Sequence, residues 1–219
     1  ECSQQRYVVQ KSVTAALDYA GALYSMARLH GFASMQADIN AVRIYKERFD
    51  KAEAAYAWAK AHPDAFYNQW EVNATYDPDI TTGAYGDNSA DDEFFWAASE
   101  LYHATQNPAY LEDVKTFMPE TFTLMSWGNV AALGIFEWIQ YEKRMLAQKP
   151  FWGDTPFGFR IGINEEEQEI IDRCKKMLLE YCDQSIEAVE NSCYNSAYGN
   201  SPEDFIWGCS SSFCDQAIC

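Results

Sequence analysis

Apolar side chains recur at three- and four-residue spacing through most of this chain, and no strict apolar/polar alternation longer than a few residues interrupts them. In the first such stretch Val13, Leu17, Ala20, Leu23, Tyr24 and Ala27 share one helical face, and the Ser12 hydroxyl before them can cap a helix start. The same reading predicts helices over residues 12–29, 38–61, 90–105, 108–117, 127–148 and 165–189, with another starting near Trp207. Gly31 marks a break after the first of them. The connections are of two kinds. Some are short links, whereas residues 64–90, 149–164 and 191–203 are long, irregular and rich in turn residues such as Pro78, Gly83, Gly86, Pro150 and Pro156. Short links at one end and long loops at the other are what a barrel of helical hairpins requires, with the long loops forming a cleft. The expected fold class is therefore all-α.

A length of 219 residues suits one domain. Residues 215–219 read as the early part of an amphipathic helix with no Gly or Asn stop signal, so an internal segment of a longer protein is expected. The formal net charge of -17 repels phosphate backbones and anionic lipid, which excludes nucleic acid and membrane surfaces as partners. No run of about 18 apolar residues is long enough to span a bilayer. Aromatic residues make up 16% of the chain, and their amphipathic rings suit neutral sugars, whose C–H faces stack on them.

The 7 cysteines do not read as a metal site. Cys209, Cys214 and Cys219 recur every five residues, which on a helix turns successive thiols about 140° apart. Cys174 and Cys182 would stand about 12 Å apart along one helix, too far for a mutual disulfide. With no C-x-x-C pair, buried free thiols or a few long-range disulfides are the expectation.

Residues 82–102, T-G-A-Y-G-D-N-S-A-D-D-E-F-F-W-A-A-S-E-L-Y, join a turn-rich loop to an acidic helix start and then to an aromatic helix. Asp91, Asp92 and Glu93 place negative charge where the helix dipole favours it. Three further stretches accompany this one: R-Y-V-V-Q-K-S at residues 6–12, A-E-A-A-Y-A-W-A at 52–59 followed by His62-Pro63, and S-P-E-D-F-I-W-G at 201–208. Together, in this order, they resemble the family nine glycoside hydrolases. That resemblance implies part of an (α/α)6 barrel, with residues 1–219 a partial catalytic domain that lacks its N- and C-terminal parts. The implied partners are a β-glucan oligosaccharide or polysaccharide and the remainder of the same catalytic domain, in a secreted or periplasmic protein.

Inverting glycosidases need a carboxylic acid for the leaving oxygen and a carboxylate base for water, about 6.5–9.5 Å apart. The family brings these from a D-A-G-D-type motif and an N-E motif, and neither is in this sequence, nor is the family's P-H-H-R segment. No residue here is therefore assigned a catalytic role. The resemblance implies sugar-stacking roles for Tyr85 and Trp207. Trp127, in S-W-G-N, repeats the Trp-Gly placement, and Asp87 and Asn88 beside Tyr85 are hydrogen-bonding candidates. Trp58, Trp96 and Trp138 fall on apolar stripes and are expected in the core.

The Asp91-Asp92-Glu93 cluster lacks the carboxylate one turn on that a prenyl synthase would use for magnesium, since Phe94, Phe95 and Trp96 follow it. The resemblance offers Asp92 and Glu93 as ligands of a structural calcium, although Gly128 stands where the family brings a further acid. The alternative is a solvated carboxylate cluster that satisfies the helix dipole. No cofactor is required for the hydrolysis. Two rival functions also fit an aromatic helical barrel. A carbohydrate-binding or scaffold protein would keep the cleft without the acid and base, whereas a helical-repeat protein would show self-similar units, which are not seen.

Overall fold

The computed structural model describes residues 8–34, 39–84, 86–147, 162–193, 195–197, 202 and 214–215, without side chains for 28–34 and 39–42. It contains seven helices among these residues: α1 (Val13–Ser34), α2 (Ile39–Ala61), α3 (Gln69–Thr75), α4 (Asp91–Thr105), α5 (Pro108–Phe117), α6 (Ala131–Ala147) and α7 (Glu165–Asn191). The only β feature among the described residues is an isolated bridge between Ser126 and Asn129. No described helix is long and apolar enough to cross a membrane.

The caps explain why the helices start and stop where they do. Ser12 Oγ accepts the Ala15 N–H, as its position implies. The link between α4 and α5 is only Gln106 and Asn107: Gln106 turns the chain at φ 55°, and the Asn107 side chain accepts the Ala109 N–H with Pro108 opening α5. α7 opens on a reciprocal capping box in which Asn164 Oδ1 accepts the Glu167 N–H (2.7 Å) and Glu167 Oε2 accepts the Asn164 N–H (2.8 Å). Two boundaries differ from expectation by more than two residues. α1 runs through Gly31 to Ser34, since one glycine costs a helix only about 1 kcal/mol. α6 starts at Ala131 rather than at Trp127, because residues 126–129 close a turn of their own.

The packing sorts the helices into three hairpins, α1/α2, α4/α5 and α6/α7, with α4 also packed against both α1 and α6. Thus α1, α4 and α6 form an inner wall, and α2, α5 and α7 back it. The core lies in that wall and between it and α7: Leu17, Phe95, Leu101, Ile135 and Trp138 are fully buried in the wall, and Ile171 on α7. Trp138 donates from Nε1 to Ser99 Oγ (2.9 Å), which satisfies the one polar atom of the indole. Trp96 and Trp58 are half-buried, Trp58 lying between the His62 ring and the Lys11 ammonium. Two glycines set the spacing. A methyl on Gly134 would lie 2.6 Å from the Phe95 ring, and one on Gly21 would lie 3.0 Å from the Trp96 ring. Among the described cysteines, Cys174, Cys182, Cys193 and Cys214 are free, and only Cys174 is buried.

Polar contacts fix which ends coincide. The start of α4 meets the start of α6 where Asp92 Oδ2 accepts the Val130 N–H at 2.7 Å. Val13 N–H, at the start of α1, donates to Ala65 O just beyond the end of α2. At the opposite end Glu167, opening α7, accepts from the hydroxyls of Tyr102 and Tyr141 near the ends of α4 and α6. The inner helices therefore run parallel, and the connections 62–90 and 118–130 lie at the end where they start.

Candidate functional site

The long connections gather polar and aromatic groups over the starts of α1, α4 and α6. The acidic start of α4 does not point uniformly into water. Asp92 is half-buried and holds Val130, while Glu93 is 5% exposed with Oε2 lacking a hydrogen-bond partner. Burial, then the neighbouring Asp92 charge, pushes the Glu93 carboxyl up to about 9. Asp18, from the second turn of α1, belongs to the same cluster. Burial raises it to about 6, with Asp92 and Asp87 adding to the shift. Burial and the crowding of like charges thus both favour the protonated form of Glu93.

A calcium ion needs six to eight oxygens. The candidates Asp92 and Glu93 supply two carboxylates, one already hydrogen-bonded to Val130, and Gly128 brings no side chain. Among the described residues no group of three or more His, Cys, Asp or Glu side chains is arranged to hold a metal. Among the described side chains these two carboxylates alone fall short of that shell.

The remaining candidates divide. Trp127 is 72% exposed at the tip of the Ser126–Asn129 turn, just above the start of α6, where Gly128 N–H donates to Ser126 Oγ and Asn129 Oδ1 accepts the Ala131 N–H. Asp87 shapes its own loop, since its Oδ1 accepts the N–H groups of Asn88 (2.7 Å) and Ser89 (3.3 Å). Asn88 is exposed and lines a shallow hollow of about 360 Å³, which Lys60, Asp91, Phe94 and Phe117 also line. Asp87 and Asn88, adjacent in sequence, therefore serve different surfaces. Tyr85 and Trp207 lie outside the described residues.

Three residues of this end escape a reading of periodicity. Asp18 flanks the apolar stripe of α1 and looks like an ordinary solvated acid. Trp70 and Tyr76 stand in what reads as an irregular loop, but residues 69–75 form the short helix α3, capped by Asn68. The spacing Asn68-x-x-Glu71 is a helix-start signal that could have revealed it. Trp70 is 83% exposed and Tyr76 66%.

Comparison with known proteins places this geometry. The model of the glycosyl hydrolase family 9 matches residues 1–219. The xyloglucan-specific endo-beta-1,4-glucanase BoGH9A of Bacteroides ovatus is 44% identical over 98% of this chain and 33% of its own length. Endoglucanase C of Cellulomonas fimi is 28% identical over 77% of this chain and 13% of its own length. The solved structure of a family 9 protein from Bacteroides ovatus superimposes with a TM-score of 0.78 and 43% identity, over 95% of this chain and 34% of that one. The chain thus spans about a third of the first of these relatives. Its three hairpins are part of an (α/α)6 barrel.

Proposed function

The chain belongs to the glycosyl hydrolase family 9, and from that membership we propose that it is the central part of the catalytic module of an inverting β-1,4-glucan hydrolase. The proposed activity is that of an endoglucanase or cellodextrinase on cellulose or related glucans. The observation that carries this reading is the family match along the whole chain, supported by 44% identity to a relative named for endo-β-1,4-glucanase activity.

In this reading the glucan lies across the starts of α1, α4 and α6. Trp127, with Tyr85 and Trp207, offers ring faces to the C–H faces of glucosyl units, and Asp87 and Asn88 offer hydrogen-bonding groups to hydroxyls. The general acid and base come from the remainder of the same catalytic domain, which is the chain's principal partner. Hydrolysis by two carboxyl groups needs no cofactor. A polymeric substrate too large to cross a bilayer places the enzyme outside the cytoplasm, secreted or periplasmic, and its role in cellulose degradation follows from that substrate.

The test is reducing-sugar release by the intact protein that contains this chain. Hydroxyethylcellulose and xyloglucan, both β-1,4-linked in the backbone, are expected to be cleaved and a β-1,3-glucan left intact, while residues 1–219 alone release nothing. Cleavage of the β-1,3-glucan only, or turnover by the isolated chain, would overturn the reading.

A further inference from the structure

The connection from α2 to α4 is not a slack loop. Asn68 Oδ1 accepts the Trp70 and Glu71 N–H groups and starts α3. Asn73 then clamps Ile80 in both directions, donating from Nδ2 to Ile80 O (3.0 Å) and accepting the Ile80 N–H at Oδ1 (2.9 Å). Gln69 Nε2 adds bonds to Ile80 O (3.1 Å) and Thr82 O (2.9 Å). One side of α3 is thus stapled to the strand of chain that follows it, with Val72 buried beneath. Trp70, about 100° around the helix from Gln69, is left facing water at 83% exposure.

A rigid support that holds a large indole in solvent gains nothing for the packing of the described residues, because the exposed ring contributes little burial there. It does gain for binding, since a pre-ordered aromatic loses little freedom when a ligand covers it. The surrounding charge narrows the ligand. No Lys or Arg occurs from residue 61 to residue 114, whereas Glu71, Asp77 and Asp79 stand beside the platform and are exposed. That field repels phosphates and other anions. A neutral polyol fits instead, its C–H face on the indole and its hydroxyls donating to the carboxylates. The connection also lies at the end where α1, α4 and α6 begin, the end assigned to the glucan.

We propose that Trp70 is a sugar-stacking platform on the connection between α2 and α4 that engages a glucan chain, so that this protein holds long substrates more firmly than short ones. The inference rests on the β-1,4-glucan reading above, and the experiment separates the two. Native electrophoresis of the intact protein through gels cast with and without hydroxyethylcellulose reads binding without turnover, and kinetics on the same polymer and on cellotetraose read the reaction. Trp70→Ala is expected to lose most of the gel retardation and to raise KM on the polymer about threefold to tenfold. It leaves kcat, cellotetraose kinetics and the unfolding midpoint unchanged, and Trp70→Phe retains most of the binding. Retardation without any glucan hydrolysis by the parent protein would leave the platform standing and remove the proposed activity. Equal retardation of parent and Trp70→Ala, no retardation of the parent, or retention abolished by 0.5 M salt (roughly a 4 Å Debye length), as for a cationic partner, would overturn the platform.

Discussion

Gly134→Ala sets two effects of opposite sign against each other. On propensity alone, alanine in place of glycine inside α6 stabilises a helix by about 1 kcal/mol. Packing opposes it. The added methyl would lie 2.6 and 2.7 Å from two carbons of the Phe95 ring and 3.3 Å from the Trp96 Cα, where carbon contacts ordinarily relax to about 3.5–4.0 Å. Phe95 is fully buried within the α1/α4/α6 wall, so its ring has no solvent to move into, and the third contact is backbone. Overpacking of this kind costs about 1–3 kcal/mol, and a shortfall near 1 Å on a buried ring belongs in the upper half of that range. The net expectation is a loss of about 1–2 kcal/mol, read by urea unfolding of the intact protein. Phe95→Leu in the same background should recover part of it, because the smaller side chain leaves room for the methyl. A Gly134→Ala variant more stable than the parent by about 1 kcal/mol would refute the close approach of α4 and α6.

Glu167→Ala removes the α7 capping box and the acceptor shared by the Tyr102 and Tyr141 hydroxyls, and is expected to lower stability by about 3 kcal/mol in the same urea assay. A loss under 1 kcal/mol would show that these groups find water instead. Asp92→Ala frees the Val130 N–H and should cost about 1–3 kcal/mol, with faster amide exchange at Val130; unchanged exchange there would dismiss the contact. EDTA should leave the unfolding midpoint in place, since the described side chains offer too few oxygens for calcium, and a drop on chelation would show that the acidic cluster holds a cation. Burial pushes the Cys174 thiol up to about 12, so at pH 8 it should react with a thiol reagent only when the protein unfolds, whereas exposed Cys193 reacts at once; equal rates would contradict the burial of α7.

Helix type and order were legible because amphipathic period and caps are local. Pro108 and Asn107 mark the start of α5, and Ser12 does nearly the same for α1. The sequence was less informative where a local signal was overridden or hidden. Gly31 does not end α1, and the turn at Trp127 delays α6 until Ala131. α3 is short and mostly polar, so its capping signal was lost in a loop dense with turn residues. The site was legible as types of residue and not as arrangement. Nothing in the order Asp87-Asn88 tells that one faces the acidic cluster with Asp18 and the other the hollow beside Lys60, because that depends on how α1, α2 and α5 pack around the loop. The upward shift of the Glu93 carboxyl was equally invisible, since it arises first from burial, which adjacent Asp92 reinforces and Asp18 of α1 adds to.

The most direct test is a crystal structure of the intact protein with a bound cellooligosaccharide. The sugar chain is expected across the starts of α1, α4 and α6, with a glucosyl ring in contact with the Trp127 indole. An oligosaccharide bound instead at the opposite end, beside Gln106-Asn107 and the capping box of α7, would contradict the assignment of the cleft.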